Sequence, residues 1–228
     1  MNSKIALICE GSSEQAIMQV LLEHNALKFS KEDLLEDSII RCRNGRKFAR
    51  EYLGKTFDFK VNVCRILDSK VENFKIPKEY VSKVNGAPYN FITSPEIEIL
   101  YILLHGDYQK YTNKYKSQVK PSEFVRQNYN DVSNVKSYNE NYNFWDSHFM
   151  QLRKVLVQYK SNTKNSGYCI ADLLRWINLI FIGCLNTSKH KFYINLITVY
   201  EIENTPRNSK RVFTKIVKLI LLYHFLKL

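Results

Sequence analysis

Residues 5–14 read IALICEGSSE: an apolar run, then an acid, a glycine, two serines and a second acid. Ile5 to Cys9 predict a buried strand, and Glu10 falls where that strand ends. Gly11 permits a sharp turn, and Ser12 or Ser13 is placed to cap the next helix. That helix is predicted from Glu14 to about Ala26, with Ala16, Ile17, Val20, Leu21 and Leu22 at helical spacing. A carboxylate at the end of a buried strand is costly to desolvate unless something compensates it. The same position is where open α/β sheets hold ligands, beyond the carboxyl ends of their strands.

Outward from this stretch, Ser38–Cys42 (SIIRC) predicts a second strand and Lys47–Leu53 a short helix. Lys60–Leu67 (KVNVCRIL) predicts a third strand that ends at Asp68. Pro88–Ile92 predicts a fourth, and Pro95 opens a helix through about His105, because proline suits a first helical turn. Strands alternating with helices imply an α/β fold with a mainly parallel sheet flanked by crossover helices. This first domain spans residues 1–106. Residues 107–174 read as a helical accessory region, with helices at Pro121–Gln127 and Phe144–Tyr159 and a short one closing at Leu173 and Leu174. Residues 175–228 form a basic extension, with nine Lys and Arg against two acids. Its ending, KIVKLILLYHFLKL, reads as a basic amphipathic helix for nucleic acid or a membrane surface, as a packed extension, or as a segment altered by a frameshift.

The 228 residues suffice for one large domain or a domain with an accessory unit. A formal net charge of +12 favours polyanionic partners, nucleic acid first and an anionic membrane surface second. Cys9, Cys42, Cys64, Cys169 and Cys184 show no CxxC spacing and are odd in number. They read as buried thiols of a reducing compartment, not as a disulfide framework or zinc site. The opening residues MNSK are too polar and short for a secretory signal. No apolar run of about 18 residues occurs, so membrane insertion is not expected and the cytoplasm is the expected compartment.

The acids fall at strand ends. Glu10 ends the first strand, Glu14 lies one helical turn on, Asp68 ends the third, and Glu96 and Glu98 follow the fourth. A parallel sheet brings these ends to one edge, where carboxylates from separate strands can share a divalent ion. Hard oxygen donors suit Mg²⁺ or Mn²⁺ rather than zinc. Such ions polarise a phosphodiester and stabilise the attacking and leaving oxygens. Local explanations compete. Glu14 and Glu96 in first turns would favour the helix dipole, Asp68 can cap a turn, and Glu98 can lie on a solvated face.

The apolar strand followed by Glu10-Gly11-x-x-Glu14, and later a strand ending in Asp68, resembles the TOPRIM fold of topoisomerases, primases and OLD-type nucleases. The segment TSPEIEILYILLH (Thr93–His105) is similar to a Pro-and-Glu segment of RloB-like proteins. Those are TOPRIM-related proteins of bacterial phage-defence and abortive-infection loci, often beside an ATPase partner. The resemblance covers about residues 4–105. It implies Glu10 as metal ligand or general base, and Glu14 and Asp68 as metal ligands. Glu98 matches the acid of the later segment and becomes the replacement ligand. TOPRIM domains carry Asp-x-Asp after the third strand, whereas here the sequence is Asp68-Ser69-Lys70. Lys70 either contacts a phosphate or marks a lost metal site in a protein that binds without cutting. His105 is a conceivable phosphate contact, though a histidine ending an apolar helix is more often a C-terminal cap.

Arg41, Arg43, Arg46 and Lys47 follow the second strand, on the edge expected for Glu10 and Asp68, and read as phosphate anchors. The aromatic residues of Tyr108–Tyr142 offer either packing or base stacking. The expected function is a Mg²⁺- or Mn²⁺-dependent nuclease of antiviral defence, acting on RNA or DNA with an ATPase partner subunit. The alternative is a non-catalytic nucleic-acid-binding or regulatory subunit. A nucleotide-binding protein is disfavoured, because Glu-Gly-Ser-Ser is too acidic and short to cradle phosphates.

Overall fold

The computed structural model describes residues 3–68, 74–162 and 167–175. Lys70, Cys184 and the proposed helix at the end of the basic extension lie outside the described residues.

Three strands make a parallel sheet in chain order: β1 (Ser3–Cys9), β2 (Lys60–Leu67) and β3 (Tyr89–Ile92). Leu7 pairs with Cys64 and Cys9 with Ile66, while Ile66 pairs with Phe91 and Leu67 with Ile92. The carboxyl ends therefore align, and Glu10, Asp68 and Thr93 leave the sheet along one edge. Side chains alternate across it. Leu7, Cys9, Cys64, Ile66 and Phe91 pack into one core cluster, and Ala6, Ile8, Val61 and Val63 into another. Both faces are covered along β1 and most of β2, as in parallel sheets generally, which is why Ile5–Cys9 is continuously apolar, whereas Tyr89 and Asn90 of β3 are exposed.

Helix α1 (Ser12–Glu23) and α2 (Gly45–Tyr52) belong to opposite clusters: Ile17, Val20 and Leu21 of α1 to the first, Phe48 and Ala49 of α2 to the second. The later helices are α3 (Ile99–Leu104), α4 (Tyr108–Lys114), α5 (Pro121–Asn128), α6 (Tyr138–Ser147) and α7 (Phe149–Asn162). They extend the first cluster around Tyr101, Tyr111, Phe124, Trp145 and Tyr159. Helix α6 packs on α1, and α7 on α3. Sheet and later helices thus share one core, although the sequence reads them as successive regions.

Four local expectations are corrected. Ser38–Cys42 is not a strand: Ile40 alone bridges β1, accepting from Cys9 N at 3.0 Å and donating to Leu7 O at 2.8 Å. Exposed Arg41 and Arg43 alternate with it, and Asn44 already caps α2, so the chain leaves the sheet at once. Pro95 does not open a helix. The amides of Ile99, Leu100 and Tyr101 bond three residues back, making a tight turn before α3. This leaves Glu96 and Glu98 ahead of the helix instead of in its first turn. The predicted helix Phe144–Tyr159 is two helices that break at His148. There Ser147 Oγ and His148 Nδ1 both engage the Phe144 carbonyl, competing with the helical ladder. Finally, Gly11, not a serine, occupies the cap position of α1.

No helix among the described residues is long and apolar enough to cross a membrane. Cys9, Cys42, Cys64 and Cys169 are free and buried, as the sequence suggests.

Candidate functional site

The carboxyl edge of the sheet gathers most of the predicted acids but gives each a different setting. Glu10 continues the alternation of Ala6 and Ile8, so it faces the α2 side of the sheet. Arg65 shares that face through its pairing with Ile8. Its guanidinium donates to Glu10 at 2.6 Å, the distance of a charge-assisted hydrogen bond. The side chains are 1% and 7% exposed for Arg65 and Glu10. Arg65 also reaches Asn90 Oδ1 at 3.4 Å and lies over the Phe74 ring, 4.3 Å from its centre. Glu10 is therefore a buried and compensated anion.

Glu14 lies in the first turn of α1, and its carboxyl folds back over Gly11. Burial pushes its pKa up to about 7, with the negative charges of Glu98 and Asp68 adding to the effect. Its own backbone amide and Lys136 oppose the shift. Burial is the larger cause, because it disfavours the charged form, and the neighbouring acids add to it. Burial, with Glu14 and Glu10 beside it, also drives the Cys9 thiol well above its ordinary range, so this cysteine is not a nucleophile.

Glu98 is not on a solvated face; it is 1% exposed. Ser13 Oγ shares its proton between Glu98 Oε1 at 3.0 Å and the Val135 carbonyl at 2.9 Å. Lys136 Nζ donates to the other Glu98 oxygen at 3.1 Å and lies 3.6 Å from Glu96. Burial raises the Glu98 carboxyl, and Lys136 only partly offsets it. Glu96 accepts from the Ser122 amide at 3.0 Å, at the N-terminus of α5. Burial works against its charge, but the Ser122 bonds and Lys136 outweigh burial and hold it below the ordinary carboxylate range.

Asp68 is exposed at the end of β2, close enough to act on the Glu14 carboxyl. Next to it on the edge, the Thr93 amide donates to Leu67 O at 2.8 Å, while the Thr93 hydroxyl is buried without a hydrogen-bond partner among the described residues. Among the described residues, no three His, Cys, Asp or Glu side chains converge as a metal-holding group. His105 is engaged elsewhere, bonded to Asp131 at 2.5 Å and stacked on Tyr129.

Arg41, Arg43, Arg46 and Lys47 are all exposed. Arg41 donates to Ser12 Oγ at 3.2 Å, which joins the basic segment to the turn between β1 and α1. Lys47 lies 3.8 Å from Glu51.

Sequence reasoning missed Arg65, Ser13 and Lys136. Arg65 was visible in principle: Val61, Val63 and Arg65 alternate onto one face of a strand buried on both sides. Ser13 and Lys136 carry no local signal, because their partners lie 85 and 38 residues away in the chain.

No known protein family, curated protein or solved structure matches the chain.

Proposed function

We propose that the carboxyl edge of this sheet is a TOPRIM-like site for phosphodiester hydrolysis of RNA or DNA. The observation that carries the proposal is the Glu14 carboxyl, lifted to about 7 by burial and by the charges of Glu98 and Asp68. A buried carboxyl poised near neutrality with the acids Glu98 and Asp68 near it is the kind of group that a hard cation would engage, and the exposed arginines of the neighbouring segment suit the phosphates of a substrate. The donors that would hold such an ion are Glu14 and Asp68, with water and phosphate oxygens completing its shell, as Mg²⁺ prefers. They do not fit a larger cage, since Glu10 is engaged by Arg65 and Glu98 by Lys136 and Ser13. A bound Mg²⁺ or Mn²⁺ would supply charge stabilisation at the phosphorus. The chain's own part is to hold Glu14 over Gly11, to fix Glu98 through Ser13, and to anchor substrate phosphates through Arg41, Arg43, Arg46 and Lys47. Antiviral defence with an ATPase partner is the setting that the resemblance to RloB-like proteins implies.

A second reading, nucleic-acid binding without cleavage, is favoured by the same compensated acids: two of the four proposed ligands already have a cationic partner.

The deciding experiment uses labelled RNA and DNA with purified protein, with Mg²⁺ or Mn²⁺ and with EDTA. Cleavage should require the metal and vanish in Asp68→Asn, an exposed change expected to alter stability by less than about 0.5 kcal/mol. Cleavage that persists in EDTA, or in Asp68→Asn, removes this assignment. Binding with no cleavage under any metal selects the second reading.

A further inference from the structure

Five basic side chains fall within ten residues on α2 and the turn before it: Arg41, Arg43, Arg46, Lys47 and Arg50, all exposed. Glu51 beside Lys47 is the sole acid between residues 41 and 52. Arg46 and Arg50 stand one helical turn apart, a spacing at which like charges repel and weaken a helix. Among the described residues, no acid lies within ion-pair distance of Arg43, Arg46 or Arg50. The strip is nonetheless held in place from beneath. Asn44 Oδ1 accepts from the amides of Arg46 and Lys47 at 2.9 and 3.0 Å, fixing the helix start. Gly45 presses on the Lys75 backbone, where a larger residue would collide with it. Phe48 and Ala49 are buried in the second core cluster.

We propose that this strip docks the phosphate backbone of a nucleic acid and does so without regard to base sequence; the proposal rests on the reading of the adjacent edge as a nucleic-acid site. Arginine forks match phosphate oxygens, and a fixed row of them tolerates its own repulsion better when an anion lies across it. A membrane surface fits poorly. Interfacial helices insert an apolar face, whereas that of α2 is spent on the core, and no large hydrophobic side chain is exposed along it. Base stacking fits poorly too, because Phe48 is fully buried and Tyr52 packs against the same cluster. What remains on offer is backbone contact, which positions a strand but does not read it. The Arg41–Ser12 bond sets one end of the strip two residues from Glu14, so a strand lying on α2 would be led toward the carboxylates.

The test is fluorescence anisotropy in EDTA, with labelled DNA and RNA duplexes of two unrelated sequences across about 50–200 mM KCl. The wild type is compared with Arg43→Gln/Arg46→Gln/Arg50→Gln and with a distant control of equal charge change, Lys114→Gln/Lys116→Gln/Lys154→Gln. The strip variant should lower the slope of log affinity against log salt by about 2.7, close to 0.9 for each lost phosphate contact on a DNA duplex. Both sequences should weaken equally, and the control should keep nearly the wild-type slope. Absence of binding by the wild type, an unchanged slope in the strip variant, an equal drop in the control, or a preference above about tenfold for one sequence would each overturn the proposal. So would a defect seen only with phosphatidylserine vesicles, which would assign the strip to a membrane. Binding that follows the strip without any metal-dependent cleavage removes the nuclease reading alone. Cleavage that occurs with an unchanged slope in the strip variant removes the docking proposal alone.

Discussion

The Glu14 carboxyl fills the space that a side chain on Gly11 would need. Gly11 has a φ of −99°, so its backbone would accept any residue. Glycine is required there by the carboxyl above it, not by the turn.

Gly11→Ala should therefore be mild for the fold and severe for the site. Reduced freedom of the unfolded chain stabilises an alanine by about 0.4–1 kcal/mol, which offsets part of the crowding. The displaced carboxyl should reach solvent and titrate near its ordinary value of 4.5 instead of about 7. NMR titration of the Glu14 side chain checks this directly. A carboxyl that still titrates near 7 in the variant would show that Gly11 does not set its position.

Glu14 also makes stability depend on pH. Its folded pKa of about 7 exceeds the ordinary 4.5, so the folded state holds the proton more tightly than the unfolded chain. This contribution is complete below pH 4.5 and is lost as pH rises through 7, to a total of about 3 kcal/mol. Glu14→Gln, which mimics the protonated form, should match the wild type near pH 4.5 and exceed it at pH 8 by up to that amount. Glu98, also raised by burial, leaves a smaller slope of the same sign. Urea unfolding from pH 4.5 to 8 measures the difference, and equal slopes in the two proteins would contradict it.

Glu10 and Arg65 stand or fall together. Removing one partner takes the 2.6 Å contact from a charge in the interior, so Glu10→Ala should lose about 3–5 kcal/mol. Activity lost in that variant would report unfolding as readily as chemistry. Glu10→Leu with Arg65→Met should lose clearly less than the two single changes added together, by at least about 1 kcal/mol. Additive losses in a thermal or urea double-mutant cycle would show that the 2.6 Å contact carries no coupling.

The strands at Ile5–Cys9 and Lys60–Leu67 were legible because each holds an apolar stretch closed by an acid, and Pro88–Ile92 because its apolar end, Phe91 and Ile92, precedes a turn. Ser38–Cys42 has the same look, but only Ile40 can pair once Arg41 and Arg43 must face water and Asn44 must start a helix. That Glu98 and Asp68 lie near enough to act on the Glu14 carboxyl followed from parallel topology. The upward shifts of Glu14 and Glu98 did not, because they depend on burial, and the partners of Ser13 and Glu98 there, Val135 and Lys136, come from a part of the chain with no patterned link to the sheet. The Arg65 partner of Glu10 was missed for a nearer reason. The count of apolar residues in KVNVCRIL passed over the arginine that alternation places on the same face as Ile8.

The pairing of Ile8 with Arg65 in neighbouring strands has an evolutionary corollary. In chains descended from a common ancestor with this one, positions 10 and 65 should be substituted jointly: an acid with a base, or two uncharged residues, and rarely one without the other. Position 68, free at the surface, carries no such constraint from the fold. If an acid persists there among relatives in which the 10–65 pair has been exchanged for apolar residues, selection on chemistry is the remaining reason for it.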